Sequence, residues 1–308
     1  MKILVTGGAG FIGSHIVELL LNEGYTPIVL DDVSNGDISN IPHGVRFYEL
    51  DLLSKDVEIM FAKEKPDMVI HLAAQANVGK SIEKPLVDAT TNILGTIHLL
   101  KCCEVFKVKK FIFSSTSAVY GESNRSIDEE TPTAPLSFYG NSKLIAESYI
   151  KLFNQLYGIP FTIFRYANVF GPRQKANGEG GVIGIFINQL MNEQVPFING
   201  DGRQTRDFVY VEDVAHANIL AITNGANEIF NIGYNKRTSI NELYKMISEK
   251  LGSAVSPIYK PSLKGEILHS QLNNSKAIEV LKWKPASDVS FGLDQTISYL
   301  KKANQSKS

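Results

Sequence analysis

Gly7, Gly10 and Gly13, spaced three apart at the start of the chain, restrict what it can fold into more than any other stretch. Ahead of them Ile3-Leu4-Val5 is an apolar run rich in β-branched residues and too short for a buried helix, so it reads as a strand. Behind them Ile12, Ile16, Leu19 and Leu20 recur at helical spacing. Strand, glycine turn and helix in that order form the context of a dinucleotide site. Gly7 takes the tight turn, Gly10 lets the backbone approach a pyrophosphate, and Gly13 lets helix and strand pack closely. The amides of the helix start, around Phe11 and Ile12, then face the phosphates. Glycines at this spacing also suit a plain turn, and a second feature decides between the two. The apolar run Thr26 to Leu30 ends at Asp31, 18 residues past Gly13. A carboxylate there accepts from the adenosine ribose 2′-OH and repels a 2′-phosphate, which favours NAD over NADP. Asp32, Asn35 and Gly36, in the polar loop that follows, are candidates for the same end of the cofactor.

Further along, Phe47–Leu50, Met68–Leu72, Lys110–Ser114 and Phe161–Tyr166 read as strands. Residues 54–65, 89–106 and 139–157 read as helices between them. Strands alternating with helices predict an α/β fold, a doubly wound, Rossmann-like parallel sheet covered on both faces. Past Asn168 the pattern breaks into irregular pieces, expected to form a smaller, interleaved C-terminal substrate lobe. Phe208–Val211, the helix from Glu212 and Glu228–Ile232 are expected to return to the main sheet. The dinucleotide domain is thus 1–167 plus about 207–232, and the substrate lobe about 168–206 plus 233–308.

The 308 residues suffice for a large core, and a net charge of −1 offers nucleic acid or an anionic membrane no electrostatic footing. No apolar stretch reaches the ~20 residues of a membrane span, and the chain enters a strand without a signal peptide. Cys102 and Cys103 are adjacent in a helical pattern, as expected of unpaired thiols in a reducing, cytoplasmic setting. The six histidines show no metal spacing, so no metal is expected.

Tyr139-Gly-Asn-Ser-Lys143 places a phenol and an ammonium on one helix face. A free tyrosine, with a pKa of about 10, is a poor base at neutral pH. A neighbouring ammonium and an oxidised nicotinamide favour its phenolate. Such a group removes a proton from a sugar hydroxyl as hydride leaves the same carbon, and Thr116, past the fifth strand, is placed to bond the reacting oxygen. On helices at large this Tyr/Lys spacing is mostly solvated surface. Its position after strand five of a dinucleotide fold gives it meaning.

The stretches TGGAGFIGSH (6–15), HLAAQ (71–75), FSSTSAVYG (113–121), YGNSK (139–143), RYANVFGPRQ (165–174) and GDGRQTRDFVYVEDVA (200–215) together resemble the extended short-chain dehydrogenases/reductases. Within that family the chain is most similar to prokaryotic UDP-glucose 4-epimerases, and Ser275 to Pro285 continues the likeness. The resemblance implies Tyr139 as base, Lys143 as the ligand of the nicotinamide ribose, and Thr116 as their assistant and a substrate contact. It implies Asp51 and Leu52 beside the adenine. Leu72, Ala73, Ala74, Gln75 and Asn92 would lie along the cofactor, with Ser114 and Tyr166 near the nicotinamide. Asn168, Val182, Arg206, Glu266 and Ser270 would contact the UDP-sugar, Arg206 through the guanidinium fork that suits a diphosphate. It also implies a homodimer joined through helices 89–106 and 140–156, with Ile93, Ile97, Leu100, Ile145 and Tyr149 as apolar contacts.

The implied reaction oxidises C4 of a UDP-hexose to a 4-keto sugar and returns hydride to the other face. Related dehydratases carry Asp-Glu after the threonine, where this chain has Ser117 and Ala118, which argues against water elimination. Another nucleotide-sugar reaction (UDP-glucuronate epimerase or decarboxylase, 4-keto reductase) and a non-catalytic NAD-binding regulator are the alternatives. The chain departs from its relatives at Leu263, where an arginine is usual, and at Asn199, where an aromatic is usual. Four positions past Glu266, Ser270 stands where a large aromatic would exclude an N-acetyl group.

Overall fold

The computed structural model describes residues 1–175, 181–262 and 267–305. In chain order the first half runs β1 (Lys2–Thr6), α1 (Phe11–Asn22), β2 (Thr26–Asp31), β3 (Arg46–Glu49), α2 (Asp56–Glu64), β4 (Met68–His71), α3 (Val78–Glu83), α4 (Pro85–Ala89), α5 (Gly95–Val105), β5 (Lys110–Thr116), α6 (Phe138–Tyr157) and β6 (Phe161–Tyr166). The second half continues β7 (Asn168–Phe170), α7 (Val182–Met191), β8 (Phe197–Asn199), β9 (Thr205–Tyr210), α8 (Val211–Leu220), β10 (Glu228–Ile232), β11 (Arg237–Ser239), α9 (Ile240–Leu251), β12 (Ile258–Lys260) and α10 (Val289–Gln305).

Seven strands form one parallel sheet in the order β10-β6-β5-β4-β1-β2-β3. In its middle Val5 lies opposite Val29 on one side and Ile70 on the other. Central strands are apolar throughout because both faces are covered. One face is closed by α1 and α8, which pack Ile16, Leu20 and Val214 with Trp283 into one core. The other is closed by α2, α5 and α6, through Phe61, Leu99, Leu100 and Ala146. A third core, around Phe186, Phe208, Leu243 and Leu293, holds α7, α9 and α10 together. Among the described residues no helix is long and apolar enough to cross a membrane.

Three expectations change. Phe208–Val211 does not join the main sheet: its strand, β9, pairs with β7 and β11 in a separate three-stranded sheet. An apolar run shows that a strand is buried, not which strand it pairs with. The helix expected over 89–106 starts at Pro85 and carries a π turn at Thr90–Leu94. Leu100 is no surface contact but core, 1% exposed.

A buried ion pair ties α6 to the sheet. Arg165 on β6 donates from Nε to Glu147 Oε1 at 3.0 Å and from Nη2 to Oε2 at 2.6 Å. Ser115 on β5 adds its hydroxyl to Oε1 at 2.6 Å. Both charged side chains are withdrawn from water, 4% and 0% exposed. Removing one partner strands the other charge, so Arg165→Met is expected to cost about 3–5 kcal/mol of stability. Denaturant midpoints would show that drop, and adding Glu147→Leu should recover much of it. An unchanged midpoint in the single variant would mean the pair does not anchor α6.

Candidate active site

Strand order reverses at β1, with β2 on one side and β4 on the other. Such a switch point leaves a crevice beyond the carboxyl ends of the strands. Here it is a cavity of about 590 Å³, running from Asp31 and Asp51 at one end to Tyr139 and Lys143 at the other.

The glycine loop forms the middle of its wall. A Cβ on Gly13 would sit 2.1 Å from the Gly7 carbonyl oxygen, so only glycine lets α1 begin directly above the end of β1. No side chain caps this helix at Gly10. Gly10, Phe11, Ile12 and Gly13 line the cavity, which presents it with the amide-rich start of a helix, a natural seat for phosphate. These backbone contours and the absence of a capping side chain fit a dinucleotide.

At the far end of β2, Asp31 accepts from the Ala9 amide at 3.0 Å and from the Val33 amide at 2.9 Å. Val33 takes a φ of 57° to reach it, a conformation β-branched residues avoid. Burial moves the Asp31 carboxyl up from its usual range, and these two amides oppose the shift. Asp32, Asn35, Gly36, Asp51 and Leu52 share this end of the cavity, and Leu72, Ala73, Ala74 and Gln75 line it along the end of β4.

The chemical end is built by α6 and β5. Ser137 caps α6 by accepting from the Gly140 amide at 3.1 Å. A Cβ on Gly140 would lie 2.6 Å from the Ala118 carbonyl oxygen, so the second residue of YGNSK lets the helix press onto the turn after Thr116. Tyr139 is thereby held beside Thr116. Lys143, one turn on, donates to the Ser114 carbonyl at 2.8 Å and lies 4.6 Å above the Phe113 ring. Tyr166 is buried beside them and accepts from Asn218 at 2.8 Å. Ser114, Thr116, Tyr139, Lys143 and Tyr166 all line the cavity.

The electrostatics differ from the expected ones. Loss of water pushes the Tyr139 phenol up to about 12; Thr116 opposes this and the Asp88 carboxylate adds to it. Loss of water also pushes Lys143 down to about 7, against the pull of Asp88 and Glu147. Burial favours the neutral form of each group, so the ammonium alone does not produce a phenolate here.

Asn92 is not in the cavity wall. It sits in the π turn behind Gln75, accepting from its amide at 2.8 Å and donating to its carbonyl at 2.9 Å. A side chain clamped to backbone on both sides is a scaffold for the wall, a role that residue type alone does not reveal. Asn168, Val182, Arg206 and Ser270 also lie outside the lining. Ala167 and Val169, on either side of Asn168, do reach it. The small sheet brings three of the four close in register: Asn168 pairs with Phe208, two residues from Arg206, and the Ser270 amide donates to Thr205 O at 3.2 Å. Val182 opens α7. Glu266, like Leu263 and Lys264, lies outside the described residues.

Three cations of the wall, Lys80, Arg173 and Lys175, escaped the sequence reading. Arg173 is fixed by Ser14 at 3.1 Å and by an ion pair with Glu18. Its place inside RYANVFGPRQ was the available signal; Lys80 and Lys175 had none.

Comparison with known proteins agrees with this architecture. Residues 3–233 match the NAD dependent epimerase/dehydratase family. A Methanocaldococcus jannaschii protein provisionally named UDP-glucose 4-epimerase is 46% identical over 98% of this chain and 99% of its own. The crystal structure of a Thermotoga maritima UDP-glucose 4-epimerase with UDP-glucose is 44% identical and superposes with a TM-score of 0.97, covering 99% of this chain and 100% of that one. A Methanobrevibacter ruminantium UDP-N-acetylglucosamine 4-epimerase in complex with UDP-N-acetylmuramic acid is 36% identical, with a TM-score of 0.93 and 98% of both chains covered. With glycine loop, ribose-side carboxylate and Tyr/Lys pair gathered in one crevice, and with this match across most of its length, the chain belongs to the NAD dependent epimerase/dehydratase family.

Proposed function

We propose that the protein is a cytoplasmic, homodimeric epimerase that uses NAD to invert C4 of a UDP-hexose. The observation that carries this is the continuity of one cavity from Asp31, past the uncapped helix start, to Tyr139, Lys143 and Thr116. Bound NAD supplies a hydride acceptor and donor for C4 and a positive charge beside the phenol. Gly7 to Gly13 hold its phosphates, Asp31 its adenosine ribose, Asp51 and Leu52 its adenine, and Lys143 its nicotinamide ribose. Tyr139 takes the C4 hydroxyl proton and returns it, with Thr116 bonded to the reacting oxygen. The upward push of burial on Tyr139 makes it a base only when positive charge joins the cavity, which ties proton removal to a loaded site. Asn168 and Arg206 grip the UDP diphosphate from the small sheet, which belongs to the substrate lobe. Ser117 and Ala118 lack the acid that water elimination needs.

Tyr139→Phe is expected to fold, keep its NAD and lose at least ~10²-fold in turnover of UDP-glucose or UDP-galactose. Product analysis after incubation without added NAD checks this, and near-normal turnover would remove Tyr139 as the base. Titration of cofactor-free protein should in turn show NAD bound in clear preference to NADP, as the Asp31 carboxylate requires.

Ser270 is buried against β9, next to Arg206, and not a surface loop residue. A serine there leaves room for an acetamide that a tyrosine ring would exclude sterically. The enzyme should therefore also turn over UDP-N-acetylglucosamine, and Ser270→Tyr should abolish that activity while sparing the plain hexose. Equal loss of both, or of neither, would show that Ser270 is no gate.

Along the π turn, α5 and α6, Ile93, Ile97 and Ile145 are half-buried, and Leu94, Tyr149 and Leu152 are exposed. This apolar stripe supports a two-fold pairing of identical faces. Light scattering at micromolar concentration should give the mass of two chains, and Leu94→Glu with Leu152→Glu the mass of one.

A further inference from the structure

Behind the cavity wall, Asp88 on α4 is 1% exposed. Its Oδ1 accepts from Gln75 Nε2 at 2.9 Å and from Asn92 Nδ2 at 3.1 Å. Both donors are neutral amides, so they stabilise the carboxylate without cancelling its charge. From Asn92 the contacts run on: Nδ2 lies 3.0 Å from Ser142 Oγ, which donates to the Tyr139 carbonyl at 3.0 Å. Gln75, on the other side, is part of the cavity wall. Asp88 thus stands where the wall and the first turn of α6 meet.

We propose that Asp88 is a positioning residue for the Tyr139–Lys143 pair: through Asn92 and Ser142 its buried carboxylate fixes the turn that carries Tyr139, and its negative charge bears on both groups. This rests on the reading of Tyr139 as base. The groups around the pair single Asp88 out. From β5 come the Thr116 hydroxyl, the Ser114 carbonyl and the Phe113 ring, none of them charged. From β4 comes His71, fully buried between Thr6 and Thr96 and kept neutral by that burial. From β6 come Tyr166, bonded to Asn218 and Ser114, and Arg165. On α6 itself Glu147 is one turn past Lys143, but both its oxygens are engaged by Arg165. From α3, which packs on both α4 and α6, comes Lys80, a cation of the cavity wall. Glu147 also favours the Lys143 ammonium, but of the two carboxylates only Asp88 bears on Tyr139 as well and has neutral amides rather than a guanidinium as its partners. Its charge favours the ammonium of Lys143 and disfavours the phenolate of Tyr139, raising both transitions together.

A distinctive signature follows. Removing the charge should lower both transitions, so the pH–rate bell moves as a whole. Asp88→Asn keeps an oxygen for Gln75 and Asn92 and removes only the charge. In the NAD-loaded enzyme, both limbs of kcat for UDP-galactose conversion should shift to lower pH by about one unit, the low end of what a nearby charge does. Asp88→Glu should restore them. Asp88→Ser, also uncharged, asks the same question with a smaller side chain. A kcat that falls equally at every pH with the limbs unmoved would overturn the proposal, as would limbs moving in opposite directions or failure of both uncharged variants to fold. The Tyr139 phenolate titration, taken as tyrosinate absorbance of each protein minus its Tyr139→Phe counterpart, should show the same downward shift without any turnover. Wild-type protein inactive on UDP-hexoses would defeat the epimerase reading alone, whereas an unmoved phenolate titration would defeat the role of Asp88.

Discussion

The contact between Gly13 and the Gly7 carbonyl leaves no room for a Cβ, and much else follows from it. With no room for even a methyl group there, α1 starts flush with the end of β1. That seating leaves the helix start facing the crevice and lays α1 along the sheet, where its other flank meets α8. A chain segment distant in sequence is thereby recruited to cover the same face. The largest core of the protein and the phosphate end of its cavity thus rest on one close backbone approach.

At the other end of the cavity the governing effect is dehydration. Dehydration pushes both Tyr139 and Lys143 toward their neutral forms. Charge has to be supplied by neighbours, and the fold supplies it in two ways. Glu147 with Arg165 is a self-contained pair that anchors α6. Asp88 is a carboxylate cradled by two neutral amides. Both are negative and buried and both favour the Lys143 ammonium, but Asp88 also bears on Tyr139. Burial by itself therefore says little about whether an acidic residue is structural or functional; what its partners carry decides the matter.

Much of this was legible in the residues. The glycine triplet, the carboxylate 18 positions on and the alternation of strands and helices each have a local physical cause, so the parallel sheet and the cofactor end could be read directly. Tyr139 and Lys143 needed only helical spacing and their place after β5. What escaped depends on partners distant in sequence. The run at Phe208–Val211 is apolar enough for a central strand, but its pairing with β7 is a tertiary choice. Asn92 looks like a ligand contact until the π turn shows it clamped to Gln75. The ammonium beside Tyr139 is visible in the sequence, whereas the dehydration that pushes the phenol up is not. Asp88, an unremarked residue in a helical stretch, acquires meaning only through the three elements that close around it.

Between β6 and β7 the chain passes from the large sheet to the small one through Ala167 alone. Tyr166 ends one strand and Asn168 begins the other, so their Cα atoms lie within about 7 Å of each other at full extension. The residue expected near the nicotinamide and the residue proposed at the diphosphate are thus spaced by covalent geometry, and no movement of the small sheet against the large one can change it much. In a reaction that must present both faces of one sugar carbon to the same hydride donor, the rotation is left to the bonds of the substrate. The protein behaves as a fixed calliper, and the swivel belongs to the molecule it measures.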